Sequence, residues 1–302
     1  MRVVVTGSSG PIGQALCSRL TSSGHHVVRV VRRTVRPGEL AFRWDPAGNT
    51  IDARGFEVAD AVVHLAGAGV GDRRWSNDRK RVLVESRTRS TALLVGALAG
   101  LDHKPRVLVS ASAIGYYGDR RDEVLTEQSP PGDDFLASLC VRWEAEAACA
   151  TESGIRVVCA RTGLVMSPEG GALPKLLPLF KLGLGGRFGT GAQWWSWITL
   201  EDEVRAIEWL LDNDVRGPVN LTAPNPVTNR EFTRVLAAVL ARPAVLPVPS
   251  FGPRLLLGSE LADSLLFTSA RVRPAVLASR GFAFNSSDLE AGLRHMLKRP
   301  AK

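Results

Sequence analysis

Arg2-Val3-Val4-Val5, four residues of strand-forming character, run directly into Thr6-Gly7-Ser8-Ser9-Gly10-Pro11-Ile12-Gly13. The residues that follow, Gln14 to Leu20, space their apolar side chains as a helix does. A strand, a turn with glycine at every third position and a helix together form the setting in which such a motif binds a dinucleotide. Gly7 permits the tight turn, Gly10 lets the backbone approach a pyrophosphate, and Gly13 lets the helix pack close to the strand. The helix N-terminus adds N–H groups and a partial positive charge. Gly7, Ser9, Gly10, Ile12 and Gly13 are therefore the first cofactor-binding candidates. The alternative is an ordinary strand-to-helix turn.

The rest of the chain supplies what such a loop needs. With 302 residues it is long enough for one large α/β domain, or a core and a smaller lobe. His26 to Val31 is a second strand, ending at Arg32-Arg33. An unphosphorylated cofactor calls for Asp or Glu at this point, to accept from the ribose hydroxyls. Two arginines suit a 2′-phosphate instead, which predicts NADP(H). Surface arginines are the plainer reading.

Ala61 to His64 reads as a buried strand opening into Leu65-Ala66-Gly67-Ala68-Gly69. Small residues at Ala66 and Gly67 would let adenine and ribose lie against the backbone, while His64 is expected to be a packed residue. A helix over about 77–98 carries Arg87, placed to reach the cofactor from the side. Arg106 to Val109 is a further strand, followed by Ser110-Ala111-Ser112-Ala113-Ile114-Gly115-Tyr116-Tyr117-Gly118. Hydroxyls at the carboxyl end of a central strand lie where an active site is expected in this architecture; a polar turn with two partly buried tyrosines is the competing reading. A helix from about 135 to 153 and a strand from Ile155 to Arg161 lead to Thr162-Gly163-Leu164-Val165, a loop suited to cover the nicotinamide end. Thr199 and Thr228 each read as a helix cap. Between residues 183 and 197, clustered glycines and tryptophans suit either a ligand wall or a packed interface loop.

Charge and composition exclude other classes. The net charge is +8, densest between Arg73 and Arg89. That run is a solvated helix face or an attractor of anionic ligands. No nucleic-acid motif accompanies it, so nucleic acid is not expected as a partner. No apolar run reaches the roughly 18–20 residues of a membrane span, and no membrane partner is expected. A strand beginning at residue 2 leaves no room for a targeting segment, so a cytoplasmic protein is expected. Cys17, Cys140, Cys149 and Cys159 lack metal or disulfide spacing and are expected to be buried free thiols.

In order, TGSSGPIG, HLAGAG, SASAIGYYG, RTGLVMSPEGG and GTGAQWWSWITLEDE resemble the extended short-chain dehydrogenase/reductase superfamily. Within it, Trp44-Asp45-Pro46, Arg74-Trp75, Tyr116-Tyr117 and a tail over 254–297 resemble the atypical epimerase-like family along essentially the whole chain. The resemblance implies a Rossmann-type doubly wound parallel sheet with a smaller, mostly helical C-terminal substrate lobe. Residues 1–165, completed by 199–222, would form the NADP-binding domain, and 166–198 with 223–302 the lobe. It also implies cofactor contacts at Arg32, Leu65, Ala66, Arg87 and Val165. A small-molecule substrate and a monomer or homodimer are expected.

The sequence departs from the superfamily at the chemistry. Where a YxxxK pair is expected, it has Phe135-Leu136-Ala137-Ser138-Leu139. Phenylalanine has no proton to give and leucine no charge, and general acid–base catalysis typically contributes about 10²–10⁴-fold. Tyr116 and Tyr117, with Ser112 as the partner serine, are the remaining catalytic candidates. A phenol donating a proton to a carbonyl under reduction needs less help than one acting as a base, which favours a reductase over an epimerase. The competing reading is a regulatory or scaffold protein that senses the NADPH/NADP⁺ ratio. No metal is expected.

Overall fold

A computed structural model describes residues 1–299. Its core is an eight-stranded sheet: β1 (Arg2–Thr6), β2 (His26–Val31), β3 (Ala41–Asp45), β4 (Thr50–Ile51), β5 (Ala61–His64), β6 (Val107–Ala113), β7 (Arg156–Thr162) and β8 (Gly217–Leu221). They lie in the order β8-β7-β6-β5-β1-β2-β3-β4, parallel throughout except for the β3–β4 hairpin. Successive crossovers run one way from β1 to β2 and the other way from β5 to β6. The strand order therefore reverses between β1 and β5, and in a sheet of this kind the ligand crevice lies at the carboxyl ends of the strands there.

Both faces of the sheet are covered, which is why its strands read as continuous apolar runs. Val3, Val5, Val63 and Val109 point to one layer, packed under α1 (Pro11–Ser22) and α5 (Leu200–Asp212). Val4, Val62 and Leu108 point to the other, under α2 (Asn77–Ala99) and α3 (Phe135–Ala148). A third cluster, with Trp197, Phe232 and Leu236, is the core of the C-terminal lobe, built on α4 (Leu173–Lys181) and α6 (Asn229–Leu240). Thr199 and Thr228 cap α5 and α6, accepting from Asp202 N and Glu231 N.

Two local expectations are corrected. β6 continues to Ala113, so Ser110 and Ser112 lie within a strand and not in the loop after it, because pairing with β7 extends to the Ala113–Thr162 register. Three cysteines are buried as free thiols, but Cys149 is exposed, at the end of α3 where the chain turns outward.

Candidate active site

The crevice begins at the glycine turn. Gly7 has φ +67°, and a Cβ there would lie 2.6 Å from the Leu65 backbone. A Cβ at Gly13 would lie 2.3 Å from the Gly7 carbonyl oxygen. Packing within the protein thus demands glycine at both positions. Gly10 differs: a Cβ there meets nothing nearer than 3.5 Å, and its φ of −76° suits any residue. Packing within the described residues does not demand glycine here, and the open side leaves room for the close approach of a ligand. Helix α1 also starts without a side-chain cap, leaving first-turn N–H groups unclaimed. Gln14 Nε2 donates to the Ser9 carbonyl at 2.7 Å and steadies the turn, with Ser9 exposed and Ile12 half-buried beside it. The loop after β7 folds over the first turn of α1: a Cβ on Gly170 would lie 2.7 Å from Pro11 Cγ. Residues 164–166, expected as part of that loop, instead form a short strand paired in parallel with 197–199, and Val165 in it is half-buried.

At the end of β2 the two arginines diverge. Arg33 forks onto Glu39, with Nη1–Oε2 at 2.9 Å and Nη2–Oε1 at 2.5 Å. Its hydrogen bond holds the Glu39 carboxyl down at about 2. Arg32 is exposed and has no carboxylate partner among the described residues. Of the two, Arg32 is free to meet a phosphate.

Leu65, Ala66 and Gly67 line the opposite wall. Beside them, Arg87 is 8% exposed and has no carboxylate partner among the described residues. Its Nη1 donates to the Leu83 carbonyl at 3.1 Å, its guanidinium lies 5.0 Å from the Trp143 ring, and its Nε is buried without a partner among the described residues. Burial pushes its pKa down. A Cβ on Gly67 would lie 3.2 Å from Arg87 Cζ. A buried cation with an orphaned donor beside a glycine loop fits an anionic ligand.

His64 is a structural residue. It is fully buried, with Nδ1 2.7 Å from Thr6 Oγ1 and Nε2 3.0 Å from Thr91 Oγ1, and Trp143 Nε1 donates to the same threonine at 3.1 Å. Burial lowers its pKa to about 3, so it stays neutral.

The three catalytic candidates fare differently. Ser112 Oγ donates to Glu144 Oε1 at 2.6 Å. Tyr117 is fully buried; its hydroxyl donates to Asn220 Oδ1 at 2.7 Å and accepts from Arg161 Nη1 at 3.0 Å, and burial raises its pKa to about 12. It is a structural phenol with no route to a ligand. Tyr116 is half-buried, its ring lies 3.4 Å from Arg161 Cζ, and its hydroxyl has no hydrogen-bond partner among the described residues. It packs on the cluster Leu83, Leu139 and Cys140, as Ala68, Val70, Trp75 and Phe135 do, and on the cluster that holds Tyr117, Leu125 and Val272. Phe135 opens α3 in a T-shaped contact with Trp75 at 5.1 Å, and Leu139 is buried one turn on. The start of α3 is therefore an apolar wall.

Sequence reading missed the group that organises this site. Arg161, 3% exposed, forks onto Glu144 through two 2.8 Å bonds. Burial disfavours its charge, but Glu144 outweighs that, and its pKa is held above the usual range. Glu127 Oε1 accepts from the backbone of Asn220 and of Val276, both at 3.1 Å, tying the network to the C-terminal lobe. The signal was available: a charged residue at the end of the apolar run Val157-Val158-Cys159-Ala160, and an asparagine inside Val219-Asn220-Leu221, each require buried partners.

Glu203, in the first turn of α5, is 1% exposed; its Oε1 accepts from Thr162 Oγ1 at 2.7 Å and its Oε2 has no partner among the described residues. Burial raises its pKa to about 8 from 4.5. A carboxyl raised in this way contributes its full stability below the unfolded value and loses it as pH rises toward the folded one. Stability should therefore fall between about pH 4.5 and pH 8, and Glu203→Gln should remove that slope while keeping an acceptor for Thr162. At about 1.4 kcal/mol per pH unit, the variant should be more stable than wild type by a few kcal/mol at pH 8. Urea denaturation of both proteins across this range checks it; parallel curves would refute it.

The NAD dependent epimerase/dehydratase family pattern matches residues 3–222, and a domain of unknown function matches 248–296. An epimerase family protein of Mycobacterium bovis is 43% identical over 299 residues, covering 99% of this chain and 98% of its own. The crystal structure of human epimerase family protein SDR39U1 (isoform 2) with NADPH superposes with a TM-score of 0.90 at 33% identity, covering 99% of both chains. That of a nucleoside-diphosphate sugar epimerase from Corynebacterium glutamicum gives a TM-score of 0.80 at 37% identity, covering 98% of this chain and 58% of that one.

Proposed function

This chain belongs to the NAD dependent epimerase/dehydratase family, and on that premise we propose that it is an NADP(H)-dependent oxidoreductase acting on a small carbonyl or hydroxyl substrate. The observation that carries the cofactor half is the cradle itself. Gly10 is open to a ligand and α1 has no side-chain cap; among the described residues Arg87 is buried without a counter-ion and Arg32 has no carboxylate partner at the end of β2, where a 2′-phosphate would lie. The NADPH in the human relative's structure agrees with that donor set. When bound, the nicotinamide supplies or accepts hydride. The α1 amides and Arg87 hold the diphosphate side, and Arg32 reads the phosphate on the adenosine ribose. Tyr116 donates the proton that a reduced carbonyl oxygen requires, since Tyr117 is sealed in the core and Ser112 is committed to Glu144.

Two measurements test this reading. Purified protein should consume NADPH with at least one member of a broad carbonyl panel. Tyr116→Phe should lower that rate at least about tenfold, at the low end for loss of a general acid. No turnover by wild type across the panel would sink the oxidoreductase. For the cofactor, Arg32→Ala should weaken NADPH binding by about tenfold to a hundredfold, the usual range for a charged hydrogen bond, and leave NADH unchanged. Arg33→Ala should do less, because Glu39 already holds that guanidinium. Equal losses for both cofactors would place the phosphate elsewhere.

The apolar wall at Phe135 and Leu139 favours a second reading, in which the chain binds NADP(H) without turning it over and reports the redox ratio to a partner. It predicts that NADPH and NADP⁺ change partner affinity differently while NADPH stays unconsumed.

A further inference from the structure

The C-terminal lobe carries an exposed face that the site does not use. Two stretches, 170–200 and 232–259, contain no aspartate or glutamate. They lie side by side: Val248 N donates to the Arg187 carbonyl at 2.8 Å, and Arg242 Nε to the Lys181 carbonyl at 3.1 Å. Leu182 and Leu184 protrude from one stretch, and Val245 and Leu246 from the other. Phe251, Leu255 and Leu256 protrude from α7 (Phe251–Leu257), a helix with no buried residue. All seven are between 66% and 83% exposed. Arg74 fastens the end of α7 to the nucleotide-binding domain through the carbonyls of Leu255 and Leu256.

Four exposed cations lie in or next to these segments: Lys175, Lys181 and Arg242 within the two stretches, and Arg73 beside the Arg74 that holds α7. Lys175, Lys181, Arg242 and Arg73 have no carboxylate partner among the described residues. The nearby carboxylates are engaged elsewhere, Asp72 with Arg79, Glu260 with Lys80 and Asp263 with Arg254. The face is thus apolar at its projections and cationic between them. A second copy would set like charges against like. The protruding, separated side chains suit a fluid interface better than a shaped protein groove.

We infer that this face docks on the surface of an anionic lipid bilayer, with Phe251, Leu255 and Leu256 entering the interface and Lys175, Lys181, Arg242 and Arg73 lying among the headgroups. No described helix is long and apolar enough to cross a membrane, and surface attachment needs none. The expectation of no membrane partner rested on apolar run length, which does not register a patch assembled from separate segments.

Flotation of the full chain with phosphatidylcholine vesicles, with and without phosphatidylglycerol, tests it. The protein should float only with the anionic vesicles, and salt near 1 M, where the Debye length is about 3 Å, should release it. Lys181→Glu with Arg242→Glu should weaken binding about tenfold or more. Leu255→Ser with Leu256→Ser should do likewise, while both variants keep wild-type NADPH binding as a check on folding. Binding that ignores lipid charge and salt, or no binding at all, would overturn the proposal. So would a wild-type dimer in solution that the leucine variant makes monomeric, since the face would then belong to a second copy.

Discussion

Replacing Arg161 with methionine should lower folding stability by about 3–5 kcal/mol, the range seen when one member of a buried ion pair is removed. The reason is what remains. Glu144 would keep a charge with Ser112 Oγ as its hydrogen-bond donor, in a position where two guanidinium bonds of 2.8 Å now satisfy it. The Tyr117 hydroxyl would lose the donor that faces it, and Tyr116 the cation stacked on its ring. Adding Glu144→Leu to the methionine variant should recover part of the loss, because two apolar residues leave no unpaired charge. Urea midpoints of the two single variants and the double variant measure this. A single-variant loss below about 1 kcal/mol, the worth of an exposed pair, would mean that the network does not hold the site together.

The second large effect separates two glycines that look equivalent in the motif. Gly13→Ala should destabilise the protein by about 1–3 kcal/mol or more, as overpacking does, because its Cβ would sit 2.3 Å from the Gly7 carbonyl and 2.8 Å from Ser8 Cα. Both obstacles are backbone, so α1 must move away from the turn, and NADPH affinity should fall about a hundredfold with it. Gly10→Ala should leave the melting temperature unchanged, since its Cβ has 3.5 Å of clearance and its φ is ordinary. Yet it should lose at least about tenfold in NADPH affinity, because the methyl group projects where the diphosphate must come close. Thermal unfolding and cofactor titration on the same preparations decide the matter. Unchanged NADPH affinity in Gly10→Ala would mean that the diphosphate does not use this backbone.

These contrasts show why the outline of the molecule was readable in advance and its chemistry was not. Strand β1, the glycine turn and α1 are consecutive in the chain. Their spacing alone expresses the turn, the close packing and the helix start. The buried strands announce themselves for the same reason: a sheet covered on both faces needs unbroken apolar runs, and Val3-Val4-Val5 supplies both layers at once. The caps at Thr199 and Thr228 are equally local, each side chain reaching an N–H three residues on.

What only the tertiary structure decided is how polar side chains pair. Arg32 and Arg33 are neighbours of one type, but Glu39 claims the second and leaves the first free. Tyr116 and Tyr117 are equally close as a pair, yet one is half-buried with its ring over Arg161 and the other is fully buried, its hydroxyl on Asn220, 103 residues away. Ser112 looks like a substrate contact until α3 places Glu144 against it. Apolar burial is non-directional and survives in a one-dimensional pattern. A hydrogen bond depends on a partner's distance and angle, which here are set by strands and helices far apart in sequence. The glycine turn thus prescribed a nucleotide fold from its own residues, and the packing of α3 against β6 and β7 determined which hydroxyls are already engaged within the protein.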